Sequence, residues 1–148
     1  MMVFVDTSAW VSLIAKKDPY HEEVARKWSE LLEHNAGLVT SSDVCSETLT
    51  HLRYNAGHSV ALSFYRSLKS AQAQNRILID WVSPAIFEKA WNLFQRYDDQ
   101  VFSMVDCTSF IICKKRRIKT ALTLDKHFII MGFEAIPNPG SNMRSSRL

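Results

Sequence analysis

A length of 148 residues, with 47% hydrophobic and 22% charged side chains, fits one folded domain with a single core and excludes a disordered chain. The formal net charge of +3 permits a polyanionic partner without demanding one. Three cysteines with no CxxC pair argue against a disulfide framework or a thiolate zinc site and fit a reducing cytosol. With neither a basic leader nor an apolar run long enough for a bilayer, a cytoplasmic protein without a membrane partner is expected.

Met2-Val3-Phe4-Val5 reads as a buried strand, and Asp6-Thr7-Ser8 as the cap of a short helix through about Lys16. A second helix is predicted over 20–34, with Val24, Trp28, Leu31 and Leu32 on one face, stopped by Asn35-Ala36-Gly37. Leu38-Val39-Thr40 is a second strand, and Ser41-Ser42-Asp43 caps a third helix that ends at Asn55-Ala56-Gly57. Val60, Ala61, Phe64, Leu68 and Ala71 mark a fourth helix, and a third strand falls within 76–82. Ser83-Pro84 starts a fifth helix with the stripe Ile86, Ala90, Leu93, Phe94 and Tyr97. Ser103 opens a sixth helix to about Lys115, apolar nearly all round and so expected deep in the fold. A fourth strand (120–123), a short helix (126–131) ended by Gly132 and a fifth strand (133–136) complete the domain over 1–137, leaving 138–148 as an expected mobile tail. Strands separated by helices, without hairpin signals, imply an α/β fold with a parallel sheet covered on both faces, a three-layer α/β/α arrangement.

In such a sheet ligands bind beyond the carboxyl ends of the strands. Asp6 follows the first strand, Asp125 the fourth, Glu47 sits in the second turn after the second strand, and Asp106 opens the sixth helix. Each has a bland reading: Asp6 and Asp125 as helix caps, Asp106 with Ser103 as a capping box, Glu47 as a solvated helix residue. Convergence would change the balance. A helix N-terminus gains roughly 0.3–1 kcal/mol from a nearby anion, whereas two carboxylates about 5 Å apart at an effective dielectric near 20 repel by roughly 3 kcal/mol. Gathered acids therefore need a cation, and oxygen ligands with open positions suit Mg2+ or Mn2+.

At these residues the chain resembles the PIN-domain family. Val3-Phe4-Val5-Asp6-Thr7-Ser8-Ala9 is similar to its opening motif, and Glu47 after Ser41-Ser42 to its second acid. Asp106 in Phe102-Ser103-Met104-Val105-Asp106-Cys107 resembles the third, and Thr123-Leu124-Asp125-Lys126-His127-Phe128 with Gly132-Phe133 the closing motif. The match covers nearly the whole chain, and its size is similar to that of the VapC-type toxins of toxin–antitoxin pairs. The resemblance implies strand order 3-2-1-4-5 and a metal-dependent ribonuclease cutting RNA, often a homodimer and blocked by a cognate antitoxin. It implies Asp6 and Asp106 as principal metal ligands, Glu47 and Asp125 completing the pocket, Thr123 orienting Asp125 or a water, and Ser8 as a supporting donor.

The basic run Lys114-Lys115-Arg116-Arg117 with Lys119 lies at the far end of the sixth helix, where cations are favoured and an RNA role is not expected. Arg53 and Lys126 are better placed to meet a phosphate. Of Asp98 and Asp99, loop solvation is the expectation, and His127 is expected on a helix surface. The tryptophans read as core or dimer interface. Two other classes compete: haloacid-dehalogenase-like phosphatases, which need a second acid where Ser8 stands, and a non-catalytic receiver-like or scaffold domain, for which the paired acids and lysine are missing.

Overall fold

The sheet is built around its first strand. In the computed structural model, which describes residues 1–137, β1 (Met2–Val5) lies between β2 (Gly37–Ser41) and β4 (Thr120–Leu122), with β3 (Ile77–Asp80) and β5 (Glu134–Ile136) at the edges. All four pairings are parallel and the order is β3-β2-β1-β4-β5. The expected tail at 138–148 lies outside the described residues.

Val3, Phe4 and Val5 point alternately to opposite faces, yet all are fully buried, so helices cover both sides. Phe4 packs on Phe128 of α7 (His127–Ile130), which meets Phe110 of α6 (Met104–Lys115) and Phe133 edge to face. A second aromatic group joins Trp10 of α1 (Thr7–Ile14) to Trp28 of α2 (His21–Glu33) and Phe64 of α4 (His58–Ala73). Burial of rings of this size supplies much of the folding energy, roughly 25 cal/mol per Å² of apolar surface.

The helix starts follow the capping chemistry of the sequence. Ser41 accepts from the Val44 amide to open α3 (Ser42–Asn55), and Ser83 accepts from Ile86 to open α5 (Pro84–Arg96) with proline in the first turn. Ser103 and Asp106 form a reciprocal capping box on α6. Gly132, at φ +89°, turns the chain from α7 into β5 in a conformation L side chains rarely adopt.

At the far end of α6 the basic run is partly engaged within the protein. Arg116 Nε donates to Asp80 Oδ2 at 2.7 Å, and Lys115 Nζ lies 3.9 Å from the same oxygen. This ties α6 to the end of edge strand β3. Of the tryptophans, Trp10 is core, whereas Trp81 and Trp91 are largely exposed.

Candidate metal centre

The parallel register brings the carboxyl ends of the strands to one rim. Asp6 continues the β1–β4 ladder, its amide donating to the Leu122 carbonyl at 3.1 Å, which sets its side chain beside Thr123. Thr123 Oγ1 donates to Asp6 Oδ2 at 2.8 Å, Ser8 Oγ donates to the same oxygen at 3.4 Å, and the Leu124 amide donates to Ser8 Oγ at 2.9 Å. Thr123 thus orients Asp6, and it reaches Asp125 only by accepting that residue's amide at 2.9 Å. Although Asp6 occupies the cap position of α1, its side chain makes no capping hydrogen bond. Its place is set by the rim.

Asp106 combines both of its readings. Its Oδ2 accepts from the Ser103 amide at 3.1 Å, completing the capping box, and lies 2.9 Å from His127 Nδ1. Asp125 Oδ1 accepts from the His127 amide at 3.0 Å and lies 3.3 Å from His127 Nδ1. Glu47 is half-buried on α3 and faces the Thr7 hydroxyl. A further tie fixes the two helices that carry Glu47 and Asp106: Thr108 Oγ1 of α6 donates to Asp43 Oδ2 of α3 at 2.9 Å.

The four acids share one field. Burial raises the Asp6 carboxyl well above its usual value, and Asp106, Asp125 and Glu47 raise it further, while the Thr123 hydrogen bond partly offsets them. Burial, then Asp106, pushes Asp125 up to about 6; burial raises Glu47, with Asp106, Asp125 and Asp43 adding to it and Thr7 partly offsetting it. Asp98 and Asp99 are exposed in the turn before α6, as loop solvation expects.

His127 corrects the sequence reading. It is 4% exposed rather than on the helix surface, with its ring edge-on to Phe102 at 5.1 Å, while Ile129 and Ile130 of the same short helix stand outside. A helix of four residues has no periodicity to reveal its inner face, so polarity alone misleads. The one available signal was proximity, two residues beyond Asp125. Both neighbours of Nδ1 are carboxylate oxygens, which accept, so Nδ1 carries a proton. The hydrogen bond to Asp106 raises the imidazole's affinity for its second proton.

One imidazole does not balance four carboxylates. Oxygens of Asp106 and Asp125 and a ring nitrogen of His127 all lie within 4.8 Å of one another, and Asp6 and Glu47 lie within the same field. Hard oxygen donors with open positions fit Mg2+ or Mn2+, with the protonated Nδ1 beside the acids rather than among the ligands. Without metal, raised acids make stability fall with pH. Asp125 holds its proton to about 6 when folded, against 3.8 for an unperturbed aspartate, so its contribution is fully present below about pH 4 and lost as pH rises through about 6. Thermal unfolding of metal-free protein should lose on the order of 1–2 kcal/mol over that window, after allowance for solvent screening, and Asp125→Asn should flatten the loss. An unchanged slope in Asp125→Asn would remove Asp125 from the coupled set.

Of the other expected residues, Lys126 is exposed and close enough to Asp125 to lower its proton affinity slightly. Arg53 is exposed on α3 but does not line the groove onto which Glu47 opens; Thr50, His51 and Tyr54 do. A separate apolar groove of about 480 Å³, lined by Trp10, Trp28, Phe64 and Leu68 among others, contains none of the acids.

A five-stranded parallel sheet of this order, with four acids gathered at one rim, defines a PIN fold. The family model described as PIN domain matches residues 3–134, and the chain belongs to that family. Among curated relatives it is similar to the 23S rRNA-specific endonuclease VapC20 of Mycobacterium tuberculosis, 31% identical over 132 residues that cover 89% of this chain and 95% of the relative. The crystal structure of that protein, described as a Sarcin-Ricin loop cleaving toxin, superposes with a TM-score of 0.78 over 88% of this chain and 95% of that one, at 31% identity. VapBC2 of Rickettsia felis, bound to a promoter DNA fragment, shares the fold at 15% identity with a TM-score of 0.68, covering 91% of this chain and 97% of that one.

Proposed function

We propose that this chain is a metal-dependent endoribonuclease whose centre is Asp6, Asp106, Asp125 and Glu47, loaded with Mg2+ or Mn2+. The observation that carries the reading is Asp6: a carboxyl 4% exposed, hydrogen-bonded at one oxygen to Thr123 and Ser8, and raised by three other acids. A structural cap needs no such company. A divalent ion held by these acids supplies positive charge to a phosphate and lowers the pKa of a bound water. The protein's own part is positional. Thr123 and Ser8 fix Asp6, the capping box and His127 fix Asp106, and the His127 amide fixes Asp125. Lys126 is exposed beside Asp125, where it can meet a substrate phosphate, and Arg53, exposed on α3 outside the groove, is a second candidate for that contact.

The likeness to VapC20 supports RNA as substrate and a toxin's role, hence a cognate antitoxin as partner. The phosphatase alternative is disfavoured by Ser8, whose hydroxyl accepts the Leu124 amide where a second acid would be needed. The test is to incubate chelator-stripped protein with ribosomal RNA, single-stranded DNA and a small phosphate ester, then add Mg2+ or Mn2+. Metal-restored cleavage of RNA alone supports the reading, and hydrolysis of the ester without RNA cleavage would replace it with the phosphatase.

The same reading includes a homodimer. Val44, Cys45 and Leu52 of α3 are taken up by the core, but Phe87, Trp91 and Phe94 of α5 remain 48%, 45% and 40% exposed at helical spacing. Trp91 and Phe94 stack with centroids 5.9 Å apart, forming a continuous apolar face. Sedimentation at micromolar concentration should give a dimer, and Trp91→Glu should weaken it at least tenfold while leaving the fold intact. A monomeric unaltered chain would defeat the proposal.

A further inference from the structure

Beside the acid centre lies a groove of about 530 Å³ that shares only Glu47 with the proposed chemistry. One wall is a stripe of α3: Glu47, Thr50, His51 and Tyr54 follow one another at i, i+3, i+4 and i+7 and so share a helix face. Thr7 and Val105 close the end nearest the acids, Val105 being the chain neighbour of Asp106. The groove therefore begins at Glu47 and runs about two helical turns, roughly 10 Å, to Tyr54.

Its chemistry is selective. Neither lysine nor arginine lines it, and Glu47 and Asp43 stand at the end near the acid centre. A phosphate would be repelled there, whereas an uncharged base and sugar would not. Ser46, Thr50 and Asn55 offer hydroxyl and amide groups to such an occupant, as a ribose 2′-hydroxyl or a base edge requires. At the outer end stands Tyr54, 81% exposed, a large ring of the kind on which single-stranded bases stack. The volume suits one such unit, since small-ligand sites run from roughly 300 to 1,000 Å³.

We infer that this groove receives the base and ribose of a nucleotide flanking the scissile phosphate, with Tyr54 as its stacking platform. The inference rests on the ribonuclease reading and adds to it the nucleotide subsite. Tyr54 is a substrate-binding residue, and its contribution lies in holding the strand against the acids. Replacing it leaves the acid centre and core untouched, because its side chain is outside both.

The experiment uses the full chain loaded with Mn2+. Cleavage in purified 23S ribosomal RNA is mapped by primer extension, and short RNAs spanning the cut are made with an abasic residue on one side or the other. On the intact RNA, Tyr54→Leu should lose about tenfold in kcat/KM, mainly through KM, while Tyr54→Phe and Tyr54→Trp stay within about threefold of the unaltered chain. On the RNA abasic at the stacked position, Tyr54→Leu and the unaltered chain should cleave within about twofold of each other. A Tyr54→Leu variant that matches the unaltered chain on intact RNA would overturn the inference, as would a tenfold loss that persists with both abasic RNAs; either outcome leaves the ribonuclease reading standing. Absence of RNA cleavage by the unaltered chain would overturn that reading and this inference with it.

Discussion

Asp6→Asn and Asp106→Asn should each lower RNA cleavage at least about 100-fold while leaving the metal-free fold as stable as before or more so. Asparagine keeps the size of the side chain and can keep its hydrogen bonds: the Thr123 and Ser8 hydroxyls can donate to its carbonyl oxygen, as can the Ser103 amide at position 106. What it removes is one charge from a buried set in which Asp106 raises Asp6, Glu47 and Asp125. Relief of that repulsion favours the folded state, and loss of a ligand abolishes the metal's help to the water and the phosphate. Metal at about a hundred times its Kd should add roughly 2.7 kcal/mol to the unaltered protein, and little to either variant. A purely structural capping role gives the opposite pattern, because asparagine caps about as well as aspartate. Thermal unfolding and RNA cleavage, each with and without Mg2+, separate the two.

His127→Leu should destabilise the metal-free protein by about 1.5–3 kcal/mol, the usual worth of a hydrogen bond to a charged group. Its Nδ1 serves two carboxylates, at 2.9 Å and 3.3 Å, and its ring lies against Phe102. Leucine fills much of the space but leaves Asp106 and Asp125 facing each other with no donor between them. A bound divalent ion supplies the missing positive charge, so saturating Mn2+ should recover most of the lost stability. His127→Asn, whose amide nitrogen can stand near the position of Nδ1, should recover part of it without metal. An equal loss with and without Mn2+ would assign His127 a packing role alone.

The fold was legible because its signals were redundant. Val3-Phe4-Val5 is too short for a helix and fully apolar, as a central parallel strand must be, and Ser41, Ser83 and Ser103 cap the helices that follow. The strand order could not be read from periodicity, which says nothing of neighbours; it came from the likeness to a family. Asp6 and Asp125 were legible for a topological reason, since residues that follow parallel strands share a rim; Glu47 and Asp106, on helices, depended also on the family likeness. What escaped depended on side-chain direction over short or irregular stretches. His127 hides in a four-residue helix, and Thr108–Asp43 joins residues 65 positions apart. Thr123 turned toward Asp6 rather than the Asp125 carboxylate because the β1–β4 register sets residues 6 and 123 side by side. Arg53 lies outside the groove for a related reason: six residues beyond Glu47 is the wrong helical phase for a wall that the i+3, i+4 and i+7 positions line.

The central claim is that the acids at the rim hold a divalent ion, and calorimetric titration of Mn2+ into chelator-stripped protein tests it most directly. Near pH 6 the Asp125 carboxyl, raised to about 6, must release its proton as metal enters, so the heat should vary with the ionisation enthalpy of the buffer. The account predicts saturable binding to the unaltered chain with that buffer dependence, and its loss in Asp6→Asn. Equal Mn2+ binding by the unaltered chain and Asp6→Asn, or no binding up to millimolar metal, would contradict it.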